Sequence, residues 1–146
     1  MLTVIDKVIF LQNVDVFSAV TTEQLAFLAA IAEEIPVREN EAVYREEEPS
    51  DAMYLVLSGR VRLHRGPTEV TTAGPQEAFG IWALFDDEPR VTAATAAEDC
   101  ELLRIDKEDF IEVLADNVLV MQGVMKAIVR RLRALGRAIH TGSNKG

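Results

Sequence analysis

Gly80 and Arg90, ten residues apart, form the pair in this chain best suited to holding an anion. Gly80 opens Ile81-Trp82-Ala83-Leu84, one turn of apolar, helix-compatible sequence, and Arg90 follows an acidic turn. The first N–H groups of a helix lack intrahelical acceptors and lie at the positive end of its dipole. An arginine that folds back onto such a turn adds a forked cation. The spacing therefore predicts a cradle for one phosphate, built mostly from backbone.

The residues around this pair resemble the phosphate-binding cassette of cyclic-nucleotide-binding domains, the family of the catabolite activator protein and the protein kinase A regulatory subunits. That cassette reads roughly Phe-Gly-Glu-x-Ala-Leu, a short spacer, and then Pro-Arg-x-Ala-Ser/Thr. The resemblance implies that the amides of residues 80–83 hold a cyclic phosphate and that Arg90 neutralises it. The candidate binding residues are Phe79, Gly80, Ile81, Trp82, Ala83, Leu84, Arg90, Thr92 and Ala93.

Two positions depart from the family pattern. Ile81 stands where the family has a Glu that accepts hydrogen bonds from the ribose 2′-hydroxyl, and isoleucine has no acceptor. An unpaired buried hydroxyl costs about 1–3 kcal/mol in addition to the lost charged bond, so affinity should fall roughly ten- to several-hundred-fold. Ala93 replaces a Ser or Thr, and Thr92 is one residue early, on the other face of a strand unless a bulge intervenes. We therefore expect weak or undetectable binding of cyclic AMP.

Two cassette side chains also admit a purely structural interpretation. Arg90 could form an exposed ion pair with Asp86, Asp87 or Glu88, in which case its removal would scarcely unfold the domain. Trp82 could stack on a base, but we expect instead that it covers the core.

The elements around the cassette follow the order helices, short strands, helices. Thr21 and Gln24 have the spacing of a capping box at the start of a helix. We expect that helix to reach Ile35, because Pro36 would end it. Ser58-Gly59 is typical of a two-residue hairpin. Strand-like segments lie at 42–44, 53–57, 60–64, 69–72, 91–96 and 102–105. This pattern indicates an antiparallel β-roll (jelly roll) of the α+β or mainly β class, flanked by N-terminal and C-terminal helices. The family that the cassette resembles has the same order.

The last helix carries an apolar seam with alternating spacings of three and four. Its members are Val118, Met121, Met125, Ile128, Leu132, Leu135 and Ile139. Such a seam can pack on the chain's own β-roll or pair with a second copy, and we expect a homodimer through parallel C-terminal helices. Basic side chains crowd the same helix, namely Lys126, Arg130, Arg131, Arg133 and Arg137. We expect them to complement the helix dipole and face solvent, with docking onto an acidic partner as the alternative.

Composition and charge limit the function classes. The chain has 146 residues, of which 49% are hydrophobic, as in one folded domain. Residues 1–106 hold 20 acidic and 8 basic side chains, which argues against nucleic acid as the main partner. The single Cys100 is expected to be a buried, inert thiol, and two distant histidines predict no metal site. No apolar run reaches the roughly 18 residues of a membrane span, and no signal peptide is evident, so we expect a cytoplasmic location.

These observations predict one domain over residues 1–140, with N-terminal helices (1–35), a β-roll (36–106, cassette 79–93), C-terminal helices (107–140) and a frayed tail (141–146). The expected function is a regulatory sensor that holds cyclic AMP, cyclic GMP or another small phosphate ligand in the β-roll and signals through the C-terminal helices. The alternative is a degenerate domain that serves for dimerisation or protein interaction. No catalytic pair stands at readable spacing, so we expect no enzyme. No helix-turn-helix follows residue 140, which predicts no direct DNA binding and a sensory module that either belongs to a larger protein or acts on a partner.

Overall fold

A computed structural model describes the backbone of residues 1–145 and the side chains of residues 1–138. The helices are α1 (Val4–Leu11), α2 (Thr22–Ile31), α3 (Lys107–Asp116) and α4 (Val118–Lys145), with short 3₁₀ turns at Asp15–Phe17 and Ile81–Leu84. The strands are β1 (Glu33–Val37), β2 (Ala42–Tyr44), β3 (Ala52–Ser58), β4 (Val61–Arg65), β5 (Thr68–Ala73), β6 (Ala78–Phe79), β7 (Ala93–Ala96) and β8 (Cys100–Asp106). The expected order of helices, β-roll and helices is confirmed.

The helix boundaries at the N-terminal end follow side-chain caps. Thr3 caps α1, accepting a hydrogen bond from the Asp6 amide at 3.1 Å, and Thr21 caps α2 by accepting one from the Gln24 amide at 3.3 Å. The prediction that α2 runs to Ile35 is wrong, because α2 ends at Ile31. Pro36 lies instead within β1, an edge strand, where a residue without an N–H is tolerated.

Two four-stranded antiparallel sheets form the β-roll, in the orders β1-β8-β3-β6 and β2-β7-β4-β5. The predicted hairpin at Ser58-Gly59 is wrong, because β3 belongs to the first sheet and β4 to the second. Gly59 has a φ of +91°, and a Cβ there would lie 2.7 Å from the Cys100 sulfur. The chain therefore crosses between the sheets at a point too tight for any other residue. The hairpin is the next turn, between β4 and β5 at Gly66.

The core has two parts. The larger lies between the helices and the first sheet, and here Phe17 is fully buried with its ring centroid 6.3 Å from that of Phe110, as its expected place in the core requires. The smaller lies inside the roll and contains a cluster of three aromatic rings from Tyr44, Tyr54 and Phe79. Phe79 is the first residue of the cassette, so its burial in the smaller core fixes one end of the candidate site.

Helix α4 has one face on the domain and another in solvent. Val120, Val124 and Ala127 are buried against the α1–α2 region and α3, whereas Met125 and Leu132 are 59% and 62% exposed. The remaining exposed members of the seam are Val118, Met121 and Leu135, and Ile128 is half-buried. The predicted seam is therefore not used up on the chain's own β-roll.

The C-terminal end of α4 reaches Lys145, beyond residue 141 where we expected the tail to fray. Gly146 and the side chain of Ile139, the last seam position, lie outside the described residues. Within residues 1–145, no helix is both long and apolar enough to cross a bilayer.

Gly123 sets the distance between α4 and the turn before α2. A Cβ on Gly123 would lie 2.9 Å from Val20 Cγ2 and 3.0 Å from the Ala19 carbonyl oxygen. We predict that Gly123→Ala destabilises the fold by about 1–3 kcal/mol, since the clash outweighs the roughly 1 kcal/mol gain in helix propensity. Gly136→Ala is the matched control, because open space surrounds Gly136. It should raise the free energy of unfolding, measured by urea titration. A stabilising Gly123→Ala would contradict the close packing.

Candidate functional site

The cassette begins at a backbone conformation that requires glycine. β6 pairs with β3, placing Phe79 opposite Tyr54, and Gly80 then adopts a φ of +68° as the N-cap of the 3₁₀ turn Ile81–Leu84. L-residues with a Cβ pay about 1–2 kcal/mol in this left-handed region, whereas glycine does not. The prediction that Gly80 starts a short helical turn is confirmed. The residues that open this turn also line a cavity.

A cavity of about 530 Å³ opens beside the turn. Seven of the nine candidate residues line it: Phe79, Gly80, Ile81, Trp82, Ala83, Arg90 and Thr92. The other two do not, because Leu84 is 3% exposed within the larger core and Ala93 begins β7 with its side chain buried. The sequence pattern therefore predicted seven residues that line the cavity. The side chains of the other two candidates are buried away from it.

Arg90 is the most strongly constrained side chain of the site. It is only 5% exposed, and its Nη2 donates to the Ala52 carbonyl oxygen at 2.6 Å. Its Nη1 donates a longer bond, 3.4 Å, to the carbonyl oxygen of Gly80. The guanidinium carbon lies 3.9 Å from the centroid of the Tyr44 ring, a cation–π contact. Among the described residues, no acceptor faces the buried Nε.

The alternative interpretation of Arg90, an exposed ion pair with Asp86, Asp87 or Glu88, is wrong. Its nearest carboxylate is Asp51, with Oδ1 3.8 Å from Nη2, and not one of the three acids that precede it in the chain. The reason is the backbone. The Arg90 amide donates to the Glu48 carbonyl at 2.9 Å and its carbonyl accepts from the Glu47 amide at 2.8 Å, so the residue is held between the acidic loop and the core. Removing the side chain would leave the buried Ala52 carbonyl unpaired, at about 1–3 kcal/mol, so Arg90→Ala is destabilising.

Asp51 joins Arg90 to a second arginine. Arg104 Nη2 lies 3.7 Å from Asp51 Oδ2 and 3.4 Å from Asp106 Oδ2. Asp51 is 66% exposed, so solvent weakens both of its ion pairs. The backbone carbonyls, rather than this carboxylate, therefore do most to hold Arg90 in place.

The rim of the cavity is acidic. Asp86 and Glu88 line it, and the exposed loops at 45–48 and 86–88 that contain or adjoin them carry four further carboxyl groups, at positions 46, 47, 48 and 87. Ser50 Oγ ties the loops together by donating to the Glu88 carbonyl at 2.6 Å. Lys107 Nζ bonds Asp87 Oδ1 at 2.6 Å, and this hydrogen bond lowers the pKa of Asp87. The first residue of α3 thus anchors the rim.

Thr92 and Trp82 lie where the sequence did not place them. The strand begins at Ala93, so Thr92 occupies a bend to which strand alternation does not apply, and it lines the cavity. Trp82 was expected to cover the core, but its side chain is 48% exposed at the cavity. Arg131 of α4 stacks on it, with the guanidinium carbon 5.0 Å from the ring centroid.

Sequence reasoning missed the residues that enter the cavity from distant segments. They are Tyr44 and Ser50 before β3, Leu63 on β4, and Arg131 on α4. Arg131 Nη1 also pairs with Asp15 Oδ2 at 3.1 Å, which connects α4 to the turn before α2. No local sequence signal marks Arg131, because its place depends on how α4 packs.

Burial perturbs two titratable groups near the roll. It raises the pKa of Tyr44, and the neighbouring Arg90 and Thr92 oppose that rise, so the phenol is neutral at physiological pH. Burial also raises the pKa of Cys100, whose sulfur lies 3.2 Å from the carbonyl oxygens of Arg60 and Glu98. The expected burial of this thiol is confirmed.

The family model of the cyclic nucleotide-binding domain matches residues 34–117, which span the β-roll, the cassette and α3. The chain belongs to the cyclic-nucleotide-binding domain family. The resemblance inferred from the cassette is therefore confirmed, and so is the β-roll fold that it implies.

Two curated relatives have cyclic AMP in their names. The chain is 38% identical over 96 residues to the cyclic AMP receptor protein of Thermus thermophilus, covering 62% of this chain and 44% of that protein. It is 26% identical over 128 residues to the CRP-like cAMP-activated global transcriptional regulator of Mycobacterium tuberculosis, covering 84% of this chain and 57% of the relative. The chain thus spans about half the length of these relatives.

A solved structure with a similar fold is the N-terminal domain of a transcriptional regulator from Streptomyces coelicolor. It is 31% identical, with a TM-score of 0.82, and the match covers 89% of this chain and 94% of that one. The similarity therefore extends over almost the whole of the present domain, including helices outside the family model.

We predict that Gly80 and Arg90 are energetically coupled. A Cβ on Gly80 would lie 2.7 Å from Arg90 Nη1, so Gly80→Ala should cost the left-handed strain of about 1–2 kcal/mol and displace the arginine as well. Gly66→Ala is the control, since Gly66 also has a positive φ, +52°, but open space around it. In a double-mutant cycle by urea unfolding, the coupling should be roughly 0.5–3 kcal/mol. Equal costs of Gly80→Ala with and without Arg90 would disprove the contact.

Proposed function

We propose that the chain is a regulatory sensor domain that holds the phosphate of a cyclic nucleotide or a related small anion between Arg90 and the turn at residues 80–83. The observation that carries the proposal is the buried guanidinium beside the left-handed Gly80. Within the described part of the chain, its Nε has no acceptor, yet the side chain borders a cavity of about 530 Å³. Buried polar atoms are normally paired, so the unpaired Nε and the cavity that Arg90 lines both support an anionic ligand at this side chain.

Binding at this site is expected to be weak for two separate reasons. A ligand phosphate must compete with the Ala52 and Gly80 carbonyl oxygens for the Arg90 guanidinium, so part of each charge-assisted bond, about 1.5–3 kcal/mol, is offset. Ile81 lines the same cavity and offers no acceptor to a sugar hydroxyl. Cyclic AMP, the ligand in the names of both curated relatives, is therefore a poor fit here.

Arg131 provides the proposed path from the cavity to the C-terminal helix. It stacks on Trp82 at the cavity and pairs with Asp15 at 3.1 Å, so a ligand that moves the indole also changes a contact of α4. Signalling in this scheme is a shift of α4 between two positions, driven by the ligand's different affinity for each. The cytoplasmic location, the absence of direct DNA binding, the place in a larger protein and the absence of catalysis stay predictions from the sequence.

The ligand proposal is tested by thermal unfolding with cyclic AMP. We predict no shift of the melting temperature at low-micromolar ligand and a measurable one in the millimolar range, where ten times the dissociation constant stabilises the fold by about 1.4 kcal/mol. Arg90→Lys should abolish the shift, because an ammonium lacks the forked donors. Arg60→Ala, which removes an exposed arginine outside the cavity, should not. Binding that survives Arg90→Lys unchanged would refute this site.

The alternative function, a degenerate domain that dimerises without ligand, is favoured by the exposed seam of α4. Met125 and Leu132 lie seven residues apart on that face and are more than half exposed. At about 100° per residue, they lie within about 20° of each other around the helix axis. We propose that this seam forms a parallel homodimer, and that dimerisation accompanies sensing rather than replacing it.

We predict that Met125→Glu yields a folded monomer, because a buried carboxylate in the seam would be unpaired. Leu119→Glu is the control, since Leu119 is 61% exposed but about 120° away around α4. Repulsion among Arg130, Arg133 and Arg137 should make the dimer tighten as salt rises, whereas Arg131 is already paired with Asp15. Sedimentation velocity at low and high salt measures both effects. A wild-type monomer at high salt and high protein concentration would exclude the dimer.

A further inference from the structure

The cavity beside the cassette is largely apolar. Aliphatic and aromatic side chains form much of its wall, namely Leu63, Ala78, Ile81, Trp82 and Val91. Ile81 is half-buried and also packs against the larger core, so its side chain is fixed in position. A ligand body in this cavity therefore meets hydrocarbon along much of its surface.

Two of the polar side chains that line the cavity, Ser50 and Arg131, are committed to partners within the chain. Ser50 Oγ donates to the Glu88 carbonyl at 2.6 Å, and Arg131 pairs with Asp15 at 3.1 Å. Tyr44 is buried, with the Arg90 guanidinium 3.9 Å from its ring centroid. Uncommitted carboxylate oxygens of Asp86 and Glu88 remain, but both residues are exposed at the rim, where water competes for them.

Ile81 lines the cavity, and its amide is among those proposed to hold the anionic group. The residue is therefore adjacent to the part of the ligand that is attached to that group. A hydroxyl there loses its water and gains no acceptor from isoleucine. Removing that hydroxyl from the ligand should tighten binding roughly 5- to 100-fold.

The acidic rim limits the charge that the ligand can carry. Asp86 and Glu88 line the cavity opening, and Arg131, the nearby cation on α4, already pairs with Asp15. A second negative charge on the ligand would face these carboxylates without a compensating cation. One anionic group therefore suits the site better than two.

We propose that this cavity selects an organic monoanion whose apolar body presents no hydroxyl to Ile81, in preference to a ribose-bearing cyclic nucleotide. This selectivity rests on the proposed function, because it assumes that an anion binds at Arg90. It assigns the cavity a ligand class rather than a single compound. Shape and hydrocarbon contact then supply most of the affinity, and Arg90 fixes the orientation.

Calorimetric titration with cyclic AMP and with 2′-deoxy cyclic AMP tests the proposal, since the two probes share one monoanionic phosphodiester and differ by one hydroxyl. The expected result is that the deoxy compound binds the wild-type chain at least about fivefold tighter. Ile81→Gln, which supplies an acceptor without a charge, should remove or reverse that preference. Ile81→Val, which keeps the wall apolar, should retain it. Circular dichroism of each variant verifies folding, and Ile81→Gln is preferred to Ile81→Glu because Ile81 packs against the core.

The outcomes separate this inference from the proposed function. Equal or tighter binding of cyclic AMP by the wild-type chain, lost in Arg90→Lys, would overturn the selectivity and leave the sensor function standing. A deoxy preference that persists in Ile81→Gln would also overturn it, since Ile81 would not be its cause. If neither nucleotide bound the wild-type chain or Ile81→Gln at millimolar concentration, the sensor function and the selectivity would both be refuted.

Discussion

The buried guanidinium of Arg90 is the interaction on which the site and its surroundings depend. A charge removed from water must be compensated by hydrogen bonds, and here the Ala52 carbonyl, 2.6 Å away, supplies the best one. That bond connects the second half of the cassette to the start of β3. The left-handed Gly80 keeps the turn open, because a Cβ would occupy the space of Nη1. The cassette conformation and the placement of Arg90 therefore require each other.

This arrangement couples the structural role of Arg90 to its proposed ligand-binding role, because the same guanidinium donors serve both. Without a ligand, neutral carbonyl oxygens and the face of Tyr44 hold the guanidinium. An anion offers a charged acceptor, which is stronger, but it gains only the difference between the two sets of bonds. A site built in this way favours low affinity and couples occupancy to the position of β3. An exposed arginine in an ion pair with the rim would have had neither property.

Local features of the fold and site could be predicted from the sequence, and non-local ones could not. Strands β2 to β5, the cap at Thr21 and the cassette turn follow from short-range patterns and agree with the structure. The partners of Arg90 and the arrival of Arg131 at the cavity depend on contacts between distant segments. The predictions of a helix end at Pro36 and of a hairpin at Ser58-Gly59 failed for a related reason. Each is a genuine breaker or turn signal, but the sheet order decides whether it marks an edge strand, a crossover or a hairpin.

Two contacts of α4, at Gly123 and at Arg131, hold the helix against the rest of the domain. Gly123 lies against Val20, and Arg131, eight residues or about 12 Å further along, reaches both Asp15 and Trp82. Because the contact at Gly123 is close-packed, it has little freedom to slide, whereas the exposed ion pair can break at little cost. A displacement of α4 would therefore be small at Gly123 and larger at Arg131 and beyond. The exposed seam residue Leu132 lies on that more movable part of α4. A movement of the Trp82 ring would therefore displace α4 most at the surface where the proposed second copy would pack.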